Sequence, residues 1–176
     1  VVYTSWNGKV ARLSAAVSRD LMKWEKKGPV FAKAYKGKYN TIWSKSGSII
    51  TGYKNGKQVA LKINGKYWMY WGEQFINLAW SENLTDWYPT ENEKGELKRI
   101  VETRPGKFDS DLTECGPPAV LTDKGILLLY NGKNATTEKA DPSLPKGMYS
   151  VGQILFDPKN PGKVLSRSDA PFLKPS

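Results

Sequence analysis

The sequence predicts an all-β chain built from propeller-type blades, and three observations predict it. Aromatic residues make up 12% of the chain, Gly and Pro are frequent, and no segment carries a long apolar run of helical period. Such a composition favours many short strands joined by tight turns. Asn-Gly pairs at Asn7-Gly8, Asn55-Gly56 and Asn64-Gly65 each separate alternating segments, which is a strong hairpin signal. Finally, RLSAAVSRDLMKW at 12–24 repeats without a gap as FINLAWSENLTDW at 75–87, so that Ser18, Leu21 and Trp24 match Ser81, Leu84 and Trp87 at an offset of 63 residues. A strand, a polar corner and a plugging aromatic, in units about one four-stranded sheet long, fit a propeller blade with long loops.

The elements follow in order. Val2–Ser5 and Arg12–Ser18 flank the first Asn-Gly turn. Gly47–Thr51, Gln58–Ile63 and Lys66–Trp71 are separated by the other two, and Phe75–Trp80 follows. Ala119–Thr122 and Ile126–Tyr130 join through Asp123-Lys124-Gly125, the second strand ending on Asn131-Gly132. Met148–Phe156 runs into a corner at Asp157–Gly162. The polar stretches 91–113 and 133–146 read as functional loops, because strands resume after each. Trp24 and Trp87 are expected in blade cores, since they recur with the repeat. The strands amount to roughly three blades, and a ring needs four at least. Residues 1–176 are therefore expected to form one propeller domain, incomplete at both ends.

Composition removes several function classes. The net charge of +10 raises the question of a polyanion. However, Lys23, Lys26, Lys27, Lys33, Lys36 and Lys38 are scattered near Gly-rich turns, and no recognition-helix or RNA-binding signature accompanies them. No nucleic-acid partner is expected; a polyanion-binding module would show affinity falling steeply with salt. No 18-residue apolar run offers a membrane span. No signal-peptide pattern opens the chain, which leaves its compartment open. Histidine is absent, which excludes Ser-His-Asp and Cys-His catalysis and His-based metal sites within these residues. Neither a metal nor a cofactor is expected. The single cysteine, Cys115, has no internal disulfide partner and reads as a small buried filler. Carboxylates, Lys and Tyr remain as catalytic groups.

The chemistry concentrates in FDSDLTECGPPAVLTDKGILLLYNG at 108–132. Asp109, Asp111 and Glu114 precede Gly116-Pro117-Pro118, whose prolines lock φ and restrict the residue before each. A carboxylate held before so rigid a turn suits acid–base work. The same residues also describe an acidic surface loop capped by a hairpin.

Four runs carry a family resemblance: YTSWNGKVARLSAAVSRDLMKWEKKGPVF, GKYWMYWGEQFINLAWSENLTDW, ECGPPAVLTDKGILLLYNG and YSVGQILFDPKNPGKVLSR. Their order and spacing resemble glycoside hydrolase family 130, the mannoside phosphorylases and related β-mannosidases. The resemblance implies a five-bladed propeller with its active site at the mouth of the central channel. It also implies inverting chemistry on β-mannosides. In the phosphorylases a His in Tyr-His-Gly and a His-Arg pair help to hold phosphate; here those places read Tyr130-Asn131-Gly132 and Trp71-Gly72-Glu73. Phosphate binding needs several charged donors, so the sequence looks like the hydrolytic, β-1,2-mannosidase-like branch.

In that branch Glu73 and Glu114 would activate water. An inverting pair stands ~6.5–9.5 Å apart. The two glutamates are expected at equivalent strand ends of successive blades, each raising the other's pKa; the plain alternative for Glu73 is a hairpin-turn carboxylate. The family's general acid, an Asp in a Glu-Asp-Pro-Arg-like stretch, falls upstream of Val1, so residues 1–176 alone are expected to be inactive. Lys45, Asp109 and Asn131 are candidate ligands for sugar hydroxyls, as is Asp111, although Lys45 also reads as an exposed loop lysine. Trp6, Trp43 and Trp71 are candidates to stack on sugar faces. The expected partner is an oligosaccharide or mannoside substrate. A phosphorylase of the same family and a noncatalytic carbohydrate-binding propeller are the competing readings.

Overall fold

The structure is a computed structural model that describes residues 1–175. It is all-β: fifteen strands and, among the described residues, one short 3-10 turn at Ala34–Gly37. Among the described residues no helix is long and apolar enough to cross a membrane.

The strands form three successive antiparallel meanders. The first is β1 (Val2–Trp6), β2 (Ala11–Val17) and β3 (Glu25–Pro29), paired in chain order. In the second, β4 (Ser48–Lys54) carries the short strands β5 (Lys57–Ala60) and β6 (Lys62–Ile63) in its return. It then pairs with β7 (Lys66–Trp71), which pairs with β8 (Ile76–Ser81) and that with β9 (Trp87–Pro89). Strand β10 (Arg99–Val101) adds to the start of β8. In the third, β11 (Leu112–Cys115) and β12 (Ala119–Thr122) lie end to end along β13 (Gly125–Lys133). Strands β14 (Tyr149–Phe156) and β15 (Val164–Arg167) follow. A short parallel contact, Ala119 with Ile50 and Val120 with Thr51, joins the second and third meanders.

The middle meander is buried on both faces, and the alternation along β7 shows why. Tyr70 points into a core with Ile50, Ile126, Leu128, Tyr130 and Phe156. Its neighbours Met69 and Trp71 point the other way, into a core with Leu13, Val30, Phe31 and Trp87. Side chains alternate across a strand, so a strand reading Tyr-Trp-Met-Tyr-Trp serves both interfaces. Burying each such side chain stabilises the fold by about 1.5–3 kcal/mol.

Several strands lie where the sequence pattern showed none. β3, β9, β10, β11 and β15 are short and mixed in polarity, and are held by ladder bonds to neighbours rather than by their own alternation. The stretch 91–113 is consequently not one loop, since β10 and the start of β11 lie within it. The segment Gln58–Ile63 is two strands interrupted at Leu61, and β13 continues through Asn131-Gly132 to Lys133 instead of turning there.

The repeat is reproduced atom by atom at its corner. The Leu21 and Leu84 amides donate to Ser18 Oγ (2.8 Å) and Ser81 Oγ (2.9 Å). Both leucines take a left-handed backbone, φ 62° and 66°. The Trp24 and Trp87 indole N–H groups each donate to those leucines' carbonyls at 3.1 Å. Burial separates the copies. Trp87 is 0% exposed against Phe31 and Leu13, whereas Trp24 is 42% exposed and is not a core residue as expected. Trp87 begins β9, whose first amide donates to Val30 O at 2.8 Å, so the first meander seals it. No described residues seal the outer side of β3 in that way.

Candidate functional site

Two loop segments and one strand build the site. After β7 the chain turns at Gly72-Glu73-Gln74. Gly72 has φ +129°, and a Cβ there would lie 2.2 Å from Phe75 O, so only glycine fits. Its amide donates to Lys45 O at 3.0 Å, which draws the 43–47 segment alongside Glu73. Glu73 Oε1 accepts from Lys45 Nζ at 3.0 Å, and Oε2 accepts from the Trp43 indole N–H at 2.9 Å. Glu114 lies on β11, opposite Asn131 of β13. Its Oε1 accepts from Ser46 Oγ at 2.6 Å. Thr113 Oγ1 donates to Gln74 O at 3.0 Å, which ties the two carboxylate-bearing segments together. Ser46 and Gln74 are non-glycine residues at positive φ, 55° and 73°. Backbone of this kind persists only where the surroundings enforce it, and it gathers at functional sites.

Glu73 and Glu114 are thus both held by the 43–47 segment, with Asn131 opposite Glu114, but they do not come from equivalent strands. Glu73 follows the second strand of its meander, whereas Glu114 sits on the first strand of the next. The difference arises because β11 is a strand and not the end of a loop. The expected mutual rise in pKa also fails for Glu73. Burial pushes its carboxyl up, but hydrogen bonds from Lys45 and Trp43, with the Lys45 charge, outweigh burial and bring it below the usual carboxylate value. The Lys45 pKa is raised, first by its hydrogen bond to Glu73; burial opposes this, and the charges of Glu73 and Glu114 add to the rise. The hydrogen bond and charge of Lys45 favour the ionised form of Glu73.

An open cleft of about 490 Å³ borders Glu73, lined by Trp43, Gln74, Asp111, Lys133 and Tyr149. Lys133 Nζ pairs with Asp111 at 2.8 Å. Tyr149 also borders a second depression beside Asn131, so it links the two. A larger concavity, about 660 Å³, lies at the Ser18–Glu25 corner, where Asp20 is engaged by the Met22 and Lys23 backbone amides.

Two candidates, Trp71 and Asp109, are closed off from solvent. Trp71 is buried, its ring 4.7 Å from that of Phe31, and has no face for a sugar. Asp109 is 0% exposed and holds a buried ion network. Arg104 donates to it from Nε (3.1 Å) and Nη2 (2.9 Å), Arg167 from Nη2 (2.5 Å), and Tyr130 from its hydroxyl (2.5 Å). Its acceptor capacity is spent on protein donors. Cys115, by contrast, is the buried filler expected, and burial pushes its thiol pKa well up. The sequence reading missed Ser46 as the partner of Glu114, and Tyr149 and Lys133 as cleft walls. Ser46 lay in the Trp-Ser-Lys-Ser-Gly run beside Lys45, but nothing in the sequence marked Tyr149.

The chain is similar to known proteins. A family model described as beta-1,4-mannooligosaccharide phosphorylase (Glyco_hydro_130) matches residues 1–176. The 1,2-beta-oligomannan phosphorylase of Thermoanaerobacter sp. (strain X514) is 28% identical over 164 residues, 93% of this chain and 44% of its own length. A glycosyl hydrolase from Bacteroides ovatus superposes with TM-score 0.96 at 50% identity, over 99% of this chain and 49% of that one. A further structure has the same score and identity, over 99% of this chain and 48% of that one. It was reported with the finding that the GH130 family of mannoside phosphorylases contains glycoside hydrolases that target beta-1,2 mannosidic linkages in Candida mannan. The chain thus spans about half the length of the relatives it matches. With its whole length matched by the family model, the chain belongs to glycoside hydrolase family 130.

Proposed function

We propose that these residues supply three blades of a five-bladed propeller that hydrolyses β-mannosides, β-1,2-linked ones in particular, with inversion. Glu73 and Glu114 hold and deprotonate the attacking water. Lys45 keeps Glu73 ionised, and Asn131 offers its amide to a sugar hydroxyl. The proton for the leaving oxygen comes from a carboxylic acid outside these residues. The observation that carries the reading is the paired hold on the glutamates: Lys45 and Trp43 on Glu73, Ser46 on Glu114. These bonds orient the two carboxylates, and each keeps acceptor sites free for the water. Lys45 is already engaged by Glu73, and the positions that carry phosphate-binding cations in phosphorylases here read Asn131, buried Trp71 and Gly72, which adds support. The 50% identity to the structure reported with β-1,2-mannoside hydrolases points the same way.

The competing reading is phosphorolysis, favoured by the description of the family model and by the curated relative. Lys133 at the cleft is the cation that reading would enlist. The test uses the protein at the full length of its relatives, with β-1,2-mannobiose as substrate. Release of mannose at a rate indifferent to added inorganic phosphate is the expected result. Mannose 1-phosphate, formed only when phosphate is supplied, would replace this reading with the phosphorylase.

A further inference from the structure

Two large aromatic side chains, one of them lining the cleft, are exposed among the described residues. Trp6 is 61% exposed and Trp43 is 50% exposed. Their rings meet edge to face, with centroids 5.9 Å apart and an interplanar angle of 72°. The backbone sets this pair. Trp6 ends β1 and pairs with Ala11 across the hairpin, where Asn7 Oδ1 accepts from the Lys9 and Val10 amides and stiffens the turn. Ala11 O in turn accepts from the Ser44 amide at 3.0 Å, and Ser44 Oγ accepts from the Leu13 amide at 3.0 Å. Residue 43 is thereby tethered beside residue 6. Trp43 also lines the cleft and donates to Glu73. The pair thus continues the wall that begins at the carboxylate.

Paired indole rings that continue a cleft wall offer apolar surface for a ligand to cover. Indole faces pack on the C–H face of a pyranose, while polar sugar edges stay in water or bond to nearby groups. A flat ring with a second ring set across its edge forms a corner for one sugar unit. No charge of either sign is needed for such contact, which fits a neutral glycan and not an anionic ligand.

We infer that Trp6 and Trp43 form an aromatic subsite for a further pyranose of an extended β-mannoside, beyond the two units that flank the cleaved bond. This inference rests on the mannoside reading. It assigns the pair to substrate length, so the protein favours oligosaccharides over the disaccharide. The test compares kcat/KM for β-1,2-mannobiose and β-1,2-mannotetraose in the protein at the full length of its relatives. Wild type should favour the tetrasaccharide. Trp6→Ala should lower the tetrasaccharide-to-disaccharide ratio roughly five- to tenfold, the scale of one lost aromatic contact. Trp6→Phe, which keeps a ring, should restore most of it. A wild type with no length preference, an unchanged ratio in Trp6→Ala, or an equal fall for both substrates would overturn the inference. The ratio is read from bond cleavage whether mannose or mannose 1-phosphate is released. An error in the hydrolytic reading would therefore show as phosphate dependence and leave the length comparison intact.

Discussion

At the scale of single residues, the two glutamates differ in how they are held. Glu73 has both oxygens occupied, by Lys45 and Trp43, and Glu114 accepts from Ser46. In the protein at the full length of its relatives, Glu73→Gln and Glu114→Gln should each lower kcat by roughly 10²–10⁴-fold. KM should change little, since Gln keeps the shape but cannot take a proton from water. The pH profile follows from the depressed Glu73 pKa. With Glu73 as the proposed base, activity should fall as pH drops through that pKa. Lys45→Met removes a hydrogen bond and a positive charge that lower it. The acidic limb of kcat/KM should therefore move to higher pH, and a limb that stays put would detach Glu73 from the base role. Asp109 belongs to stability. Replacing it with Asn leaves Arg104 and Arg167 facing a neutral group inside the protein. Loss of one partner from a buried pair costs about 3–5 kcal/mol, so Asp109→Asn should unfold at clearly lower urea. An unchanged midpoint would show that the arginines find other acceptors.

At the scale of elements, the repeated corner separates local conformation from burial. The Ser-x-x-Leu-x-x-Trp pattern takes the same hydrogen bonds in both copies because they lie within seven residues of chain. Exposure depends on what lies across the corner. Trp87→Ala should cost about 3–5 kcal/mol by emptying a packed core, and in residues 1–176 alone Trp24→Ala should cost ~2 kcal/mol less. Equal losses, compared by chemical denaturation, would mean that the corner hydrogen bond and not packing accounts for the tryptophan. The short strands teach a related lesson. β11 reads Leu-Thr-Glu-Cys and carries no alternation that marks it, yet four consecutive register pairs align it on β13. That pairing turns Glu114 from a loop residue into one fixed opposite Asn131.

At the scale of the whole molecule, the site exists because meanders meet. Glu73 comes from the second meander and Glu114 from the third, and the contact between Thr113 and Gln74 closes the distance. The sequence by itself determined the all-β class, the Asn-Gly hairpins, the repeated corner and the family likeness. Each of these rests on neighbours in the chain or on motif identity. It also marked Glu114, through the rigid Gly-Pro-Pro turn after it, and Trp43, as an aromatic able to stack on a sugar, while Glu73, Lys45 and Asn131 were marked by the family likeness. Tertiary structure alone decided that Trp71 is core, that Asp109 is an ion-pair centre, and that Tyr149 walls the cleft. The physical reason lies in a sheet covered on both sides. Alternation along a strand says that successive side chains part company, but only the packed neighbour decides which side is dry. Trp71 met Phe31 and Trp87 there, and Asp109 met two arginines.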